Sequence, residues 1–513
     1  MGDTLHHLGE GFGVALAPIN LLLGLIGSFI GTVVGMLPGL GPINGVAILM
    51  PLAFALKLPP ESALILLTAV YIGCEFGGRI SSILINVPGD AGAIMTAVDG
   101  YPMAVKGEAG VALSISAWSS FIGSFVAFIG IVLAAPLLAR WALAFGPAEY
   151  FALMCFAFAC ITGLMGDAPM KAVLAAVLGL SLSTVGLDSN SGIYRFTGGS
   201  VHLSDGIQFV VVVIGLFSVS EILLMLEQHL VAAPRIRAIG RNMFNRAEMA
   251  LTWWGTVRSS VLGFVVGVLP GAGATIASAM AYTLEKRLGD KEGTFGKGDI
   301  RGVAAPEAAN NASANGSFVP MLTLGVPGSG TTAVMVGALS LYNITPGPAL
   351  FTQQPTLVWG LIASMAVCNV LLLVMNIPMI GVFTRMLALP NWILVPGILA
   401  ISAVGVYAIH ATTFDLVLMV VLGIVGYLLR KAGVPMAPLI LGFVLGDMME
   451  QNLRRALSIT NGELGILVES PIAIGLWIGV AIMLLVPPLY RRLTRGRRVT
   501  AEVASADDAP AAR

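Results

Sequence analysis

Long apolar segments recur along this chain and restrict its fold more than any other feature. A helix needs about 20 mostly apolar residues to cross a bilayer, because in hydrocarbon its backbone must satisfy its own hydrogen bonds. Stretches that meet this requirement lie near residues 14–36, 111–138, 147–165, 170–187, 207–227, 255–269, 356–380, 393–411, 413–430 and 467–488. With the shorter apolar pieces that Gly and Pro interrupt, we expect about 10–14 membrane-crossing or re-entrant segments.

The scarcity of charged residues supports this interpretation. Asp, Glu, Lys and Arg make up 11% of the 513 residues, whereas soluble domains carry about 25%. A chain of this length could not solvate its outer surface with so little charge. The sequence therefore predicts an all-α polytopic membrane protein in contact with the lipid bilayer. The balance of 27 basic and 27 acidic residues argues against nucleic acid as a partner.

The basic residues indicate which connections face the cytoplasm. They concentrate near residues 234–248 and 285–301 and at the start of the C-terminal tail, whereas the loops near 188–205 and 341–355 contain a single one. Cytoplasmic loops of membrane proteins are enriched in Lys and Arg. We therefore expect a cytoplasmic C-terminus and place the two nearly uncharged loops outside.

An internal repeat indicates that the chain consists of two homologous halves. GTVVGMLPGLG at Gly31–Gly41 and GFVVGVLPGAG at Gly263–Gly273 are identical at all but three positions, with an offset of 232 residues (270 − 38). Val87-Pro88-Gly89 recurs as Val326-Pro327-Gly328, with an offset of 239 residues (327 − 88). Two unrelated motifs that repeat in the same order at similar offsets are typical of a duplicated unit.

The repeat and the charge pattern together predict the domain organisation. Residues 1–233 form a first transmembrane repeat, 234–250 a basic cytoplasmic linker, 251–490 a second transmembrane repeat, and 491–513 a cytoplasmic tail. The residues before the first span contain no Lys or Arg, whereas the second half begins after a basic loop. This asymmetry favours two halves of inverted topology.

The paired LPG motifs predict broken helices at a binding site. Proline removes a backbone donor and glycine relaxes the chain, so a regular helix cannot continue through either motif. A Pro-Gly kink is common in membrane helices, but its occurrence in both halves favours a substrate or ion site. The candidate residues are Pro38, Gly39, Gly41 and Asn44 in the first half and Pro270, Gly271, Gly273 and Thr275 in the second.

The VPG motifs predict two re-entrant hairpins with polar flanks. Neutral amides and hydroxyls can donate hydrogen bonds to carboxylates, and their oxygens can ligate Na⁺. The alternative is that Ser and Asn join helices to one another. The candidates are Ser81, Ser82, Asn86, Pro88 and Gly89 in the first half and Asn310, Asn311, Ser313, Asn315, Pro327, Gly328, Ser329 and Thr331 in the second.

Three charged residues in apolar stretches are further candidates. Glu307 precedes the Asn-rich segment and could take part in ion coupling. Glu75 and Arg79 are four residues apart, a spacing that predicts an ion pair on one helix with either a structural or a functional role.

No enzyme signature accompanies these motifs. The chain contains no HExxH, GxSxG or GxxxxGK[ST] sequence, and its cysteines and histidines follow no metal-ligand spacing. We therefore expect a non-enzymatic protein without an organic cofactor. Without a P-loop, the concentration of a solute would need an ion gradient.

The combination of GMLPGLGP, GVLPGAG and PEAANNA followed by VPG resembles the TctA family, the large membrane subunit of tripartite tricarboxylate transporters. The resemblance covers essentially the whole chain. It implies uptake of small di- and tricarboxylates such as citrate across a bacterial inner membrane, with Na⁺ or H⁺ as the coupling cation, and an elevator-like movement of the hairpin-bearing part. It also implies two protein partners, a periplasmic solute-binding protein (TctC-like) and a small membrane subunit (TctB-like). An anion channel and a carrier for another small organic anion remain as alternatives.

Overall fold

The structure is a computed structural model that describes residues 2–164, 168–188, 190–227, 240–241, 243–271, 273–387 and 391–486. The helices are α1 (Gly2–Ala15), α2 (Pro18–Met36), α3 (Gly41–Ala55), α4 (Pro60–Ile85), α5 (Ile94–Val105), α6 (Ala109–Ala142), α7 (Pro147–Leu164), α8 (Pro169–Ser183), α9 (Phe209–Val213), α10 (Ser220–Glu227), α11 (Arg246–Val268), α12 (Gly273–Gly289), α13 (Ile300–Gly316), α14 (Phe318–Leu324), α15 (Gly330–Leu341), α16 (Leu350–Gln353), α17 (Pro355–Asn376), α18 (Ile380–Met386), α19 (Asn391–His410), α20 (Thr413–Lys431), α21 (Met436–Ile459) and α22 (Pro471–Val486). A π-helical segment, Ile214–Val219, joins α9 to α10. Two short antiparallel strands, β1 (Gly186–Leu187) and β2 (Tyr194–Arg195), pair in the loop after α8.

Seven helical segments in the described part of the chain are long and apolar enough to cross a membrane. They are Pro18–Met36, Pro60–Ile85, Ala109–Ala142, Phe209–Glu227, Pro355–Asn376, Trp392–His410 and Thr413–Lys431. The prediction of an all-α polytopic membrane protein is therefore confirmed. The predicted span at residues 14–36 begins only at Pro18, because a proline suits the first turn of a helix and cannot continue α1.

Glycines allow two helix pairs to approach closely, one pair in each half. A Cβ at Gly35 of α2 would lie 2.1 Å from the carbonyl oxygen of Cys74 in α4. A Cβ at Gly267 of α11 would lie 2.3 Å from the carbonyl oxygen of Ser313 in α13. Small residues at such interfaces let backbones touch and increase van der Waals contact. The partners are 239 residues apart (313 − 74), which matches the offset of the VPG motifs.

The long helices α6 and α17 pack mainly on the opposite half of the chain. α6 of the first half contacts α11 and α13 of the second, and α17 of the second half contacts α2 and α4 of the first. Farther along, α8 packs on α21, and α20 packs on the helical segment Phe209–Glu227. Each half thus completes the core of the other. The inverted orientation of the halves stays a prediction.

Part of the predicted domain organisation lies outside the described residues. This applies to residues 234–239 and 242 of the linker at 234–250 and to the whole tail at 491–513. At the end of the linker, α11 begins at Arg246 with a capping box. The Asn245 side chain accepts the Glu248 N–H at 2.9 Å, and the Glu248 carboxylate accepts the Asn245 N–H at 2.6 Å.

Candidate functional site

The two LPG motifs interrupt the helices with the same backbone geometry. Leu37 and Leu269 leave the helical conformation with ψ values of 117° and 124°, and each donates its N–H to the carbonyl oxygen three residues earlier. The glycines that follow all have positive φ: Gly39 88°, Gly41 63°, Gly271 78° and Gly273 66°. Because L-residues with a Cβ rarely adopt this region, the glycines are needed for the two breaks.

The two VPG hairpins also share their geometry. A left-handed residue precedes each motif, Asn86 with a φ of 57° and Gly325 with a φ of 71°. The residue after each motif then caps the next turn. The Asp90 carboxylate accepts the Ala93 N–H at 3.0 Å, and the Ser329 hydroxyl accepts the N–H of the residue three positions later at 3.2 Å.

A cavity of about 780 Å³ lies where the two breaks and the two hairpin tips meet. The helices α3, α12 and α15 all begin at its wall, because their first residues line it. The first N–H groups of a helix have no partner within the helix and carry the positive end of its dipole. Three such helix ends around one cavity make a suitable environment for an anion.

Charged side chains also reach this cavity. The Arg430 guanidinium pairs with the Glu221 carboxylate and lies 5.7 Å from the centre of the Phe217 ring. Its Nε is buried and has no hydrogen-bond partner among the described residues. Across the cavity, Glu75 and Asp90 line the wall with their carboxyl groups within hydrogen-bonding reach of each other.

Comparison with known proteins identifies the family. The model of the tripartite tricarboxylate transporter TctA family matches residues 21–441, which include both breaks and both hairpins. The chain belongs to the TctA family. It is thus a membrane component of a tripartite tricarboxylate transporter, a system that comprises further subunits.

Two curated relatives of this TctA-family chain come from Agrobacterium vitis. An uncharacterized 52.8 kDa protein in the TAR-I ttuC' 3' region is 41% identical over 486 residues, which are 94% of this chain and 96% of that protein. An uncharacterized protein in the TAR-II ttuC' 3' region is 46% identical over 230 residues, which are 44% of this chain and 95% of that protein. No solved structure matches the chain.

The cavity brings together about half of the residues that the sequence singled out in this TctA-family member. Those that line it are Gly39, Gly41, Asn44, Glu75, Pro88, Gly89, Gly271, Gly273, Thr275, Ser329 and Thr331. Those outside its lining are Pro38, Arg79, Ser81, Ser82, Asn86, Pro270, Glu307, Asn310, Asn311, Ser313, Asn315, Pro327 and Gly328.

Most of the polar residues of α13 lie behind the cavity wall and join helices. Asn311 donates to the Ser120 hydroxyl at 2.8 Å, and Asn315 donates to the Ser124 hydroxyl at 3.0 Å. The buried Glu307 carboxylate accepts from Ser120 at 3.0 Å and from Thr96 at 2.6 Å. For these residues the geometry favours the alternative in which polar side chains hold α13 to α5 and α6.

In the described part of the chain, Glu75 and Arg79 do not form the predicted ion pair, so this prediction is wrong. The Arg79 guanidinium turns away from the cavity and donates to the Ser116 hydroxyl at 2.9 Å and to the Asn376 amide oxygen at 3.0 Å. It also donates to two carbonyl oxygens of the protein core. Arg79 therefore ties α4 to α6 and α17, which leaves Glu75 to face Asp90.

The cavity residues that the sequence reasoning missed are chiefly Tyr71, Asp90 and Arg430. Asp90 had a signal, because it directly follows a repeated motif. Arg430 lies in the last turn of an apolar helix, where a basic residue is ordinary. Only the packing of α20 against the segment Phe209–Glu227 brings it to the cavity.

Proposed function

We propose that this chain is the carrier subunit for ion-coupled (Na⁺ or H⁺) uptake of small di- and tricarboxylates across a bacterial inner membrane. It would receive its substrate from a periplasmic TctC-like binding protein and act with a small TctB-like membrane subunit. The observation that carries this proposal is the convergence of three helix N-termini and Arg430 on one cavity. Family membership supports the substrate class and the partners.

The cavity has the chemistry that a small polycarboxylate requires. Carboxylates bind favourably at helix N-termini, where unpaired N–H groups and the helix dipole favour negative charge. The unpartnered Nε of Arg430 is a further donor, and charge-assisted hydrogen bonds to carboxylate are among the strongest in proteins. Hydroxyls from Tyr71, Ser329 and Thr331 could orient the remaining substrate oxygens.

The size of the cavity also agrees with this class of substrate. Its volume of about 780 Å³ lies within the range of roughly 300–1,000 Å³ usual for small-molecule sites. It lies between two irregular backbone segments, which in a membrane are tolerated only where protein or a polar cavity covers them. Transporters typically bind substrate at such discontinuous helices.

Uptake of radiolabelled carboxylates into proteoliposomes would test the proposal. The chain would be reconstituted with a TctC-like binding protein and a TctB-like small membrane protein from the same organism, and citrate and succinate would be compared with acetate. We expect saturable uptake of the di- and tricarboxylates that requires the binding protein. Currents that persist without the binding protein would contradict the proposal and favour an anion channel.

Substitution of Arg430 would locate the anion site. Arg430→Gln should raise the half-saturating substrate concentration about 10–100-fold, since a hydrogen bond to a charged group contributes about 1.5–3 kcal/mol. Arg430→Lys should have an intermediate effect, because lysine keeps the charge but loses the planar set of donors. Arg385→Gln, on the exposed side of α18, is the matched control. Unchanged half-saturation in both Arg430 variants would remove Arg430 from the site.

A further inference from the structure

Glu75 and Asp90 form a pair of carboxyl groups in the wall of the cavity, which we call the carboxyl pair. Glu75 is 3% exposed, and its Oε2 has no hydrogen-bond partner among the described residues. Asp90 is partly exposed and lines the cavity from the tip of the first hairpin. Two carboxylates in contact repel each other strongly, so both cannot remain ionised unless a cation lies between them or one takes up a proton.

An unsatisfied amide lies beside the carboxyl pair. Asn310 of α13 is fully buried, and neither its amide oxygen nor its amide nitrogen completes a hydrogen bond of normal geometry with the described residues. Its side chain lies within reach of the Glu75 carboxyl and against Gly92, two residues after Asp90, because a Cβ at Gly92 would be 2.0 Å from the Asn310 oxygen. A buried amide in this position can be satisfied by a bound ion or a water.

The second half of the chain shows that the hairpin can be built without these carboxyls. In the first hairpin Gly89 packs against Gly78, and in the second hairpin Gly328 packs against Ser317. The corresponding positions of the two hairpins are 239 residues apart (328 − 89, 317 − 78). The same offset relates Glu75 to Ala314 (314 − 75) and Asp90 to Ser329 (329 − 90). Because the second hairpin has the same shape with neutral residues, the carboxyl pair has a role beyond folding.

Other ionisable groups surround the carboxyl pair without neutralising it. Tyr71 and Cys74 lie on the same helix, and Glu307 faces the pair from α13. Arg79 faces Glu307 and donates its hydrogen bonds to other groups, and Arg430 at the cavity is paired with Glu221. The described surroundings thus contain an excess of acidic groups and leave a place for a cation.

We propose that Glu75, Asp90 and the Asn310 amide bind the monovalent cation, H⁺ or Na⁺, whose gradient drives uptake. This inference rests on the proposed function, since it names the coupling site beside the same cavity. A bound cation would reduce the charge of the carboxyl pair from −2 to −1, and a carboxylate substrate could then enter the cavity against less repulsion. The empty pair would repel the substrate, so the cation and the anion would bind together. This mutual dependence is the requirement for symport.

The test compares gradient-driven accumulation with exchange at equilibrium. Proteoliposomes that contain the complete transporter would take up radiolabelled citrate under an inward Na⁺ gradient at constant pH, and under an inward H⁺ gradient without Na⁺. Counterflow exchange, which needs no ion gradient, would be measured in parallel. The variants are Glu75→Gln, Asp90→Asn and Asp90→Ser, the last of which copies the second hairpin. Glu61→Gln, at the start of the same helix, is the control.

We expect the three variants to lose accumulation about tenfold or more, as is typical of coupling between two ligands. They should lose exchange less than accumulation, because their neutral side chains do not repel the substrate, and the control should behave as wild type. The gradient that drives the wild-type protein identifies the cation. Accumulation at wild-type level in Glu75→Gln and Asp90→Ser, or an equal loss of exchange and accumulation, would overturn the assignment. If wild-type protein neither accumulates nor exchanges carboxylates, the proposed function itself has failed.

Discussion

A methyl group at Gly35 would collide with the backbone of the neighbouring helix, so the substitution Gly35→Ala tests the close contact of α2 with α4. Its Cβ would lie 2.1 Å from the Cys74 carbonyl oxygen, whereas ordinary contact begins at 3.4 Å. Relief of the clash would require a separation of 1.3 Å (3.4 − 2.1) along an interface in which both partners are backbone. Overpacking of a core costs about 1–3 kcal/mol, and occasionally more.

The magnitude follows from two opposing effects. A clash with backbone belongs at the upper end of that range, about 3 kcal/mol. Alanine gains about 0.5–1 kcal/mol over glycine inside a helix. We therefore expect a net loss of about 2 kcal/mol, which corresponds to a fall of about 2 °C in the melting temperature of a chain of this size.

The buried cysteines provide the assay. Cys74, Cys160 and Cys368 are at most 1% exposed, so a thiol-reactive dye reaches them only when the purified protein unfolds. Gly397→Ala in α19 is the control, because no atom of the described residues lies within 4 Å of its added Cβ. Gly267→Ala should behave as Gly35→Ala does, since its Cβ meets backbone at 2.3 Å. A melting temperature for Gly35→Ala equal to that of the control would refute the reasoning.

Three further predictions concern the loop before α13 and the first break. Asp99→Asn should cost about 1–3 kcal/mol and expose this loop to protease, since its carboxylate accepts three loop N–H groups at 2.8 Å. Burial raises the pKa of Asp299, but hydrogen bonds from Arg301 and from Thr294 outweigh it, and the pKa of this carboxyl is lowered. The stability that the Asp299 carboxylate contributes is therefore present above the ordinary Asp pKa near 3.9 and disappears as the pH falls through its lower pKa in the folded protein. Asp299→Asn should remove this pH dependence of stability from melting curves. Gly39→Ala should abolish carboxylate uptake, since φ is 88° and the new Cβ would lie 2.2 Å from a Glu221 oxygen.

Two of these variants, Asp99→Asn and Gly39→Ala, have an informative comparison. Tyr282→Phe removes only the hydroxyl that bonds Asp99 at 2.9 Å, so it should expose the loop less than Asp99→Asn does. Gly273→Ala shares the positive φ of Gly39 but has open space around its Cβ, and it should retain part of the uptake. Equal protease resistance of wild type and Asp99→Asn, a pH slope that survives in Asp299→Asn, or normal uptake by Gly39→Ala would contradict the respective prediction.

The features that the sequence predicted correctly are those that depend on a residue and its immediate neighbours. The apolar spans follow from the cost of exposing backbone to lipid, and both breaks occur where Pro38 and Pro270 remove a donor beside flexible glycines. The repeat added the expectation that the two breaks have a common role. Eleven of the candidate residues do line one cavity.

The features that the sequence did not predict depend on which helices meet. Spacing alone suggested a pair between Glu75 and Arg79, but α6 and α17 offer Arg79 neutral acceptors, and Asp90 occupies the place opposite Glu75. Likewise, the polar residues of α13 predict a binding site when the sequence is considered alone, but in the structure Ser120 and Ser124 of α6 are their hydrogen-bond partners. The hydrogen bonds between α13 and α6 join residues almost 200 positions apart, and no local pattern encodes them.

The packing of α6 and α17 on the opposite half of the chain has a consequence for biogenesis. When α6 leaves the ribosome, the helices that cover its serines have not been made, since Ser119 contacts Thr256 and Ser120 contacts Glu307. The newly inserted first half therefore exposes hydroxyls to lipid, or keeps α6 at the insertion machinery, until the second half follows. Synthesis, rather than the finished fold, is then the stage at which this chain is most vulnerable to substitutions that make α6 more polar.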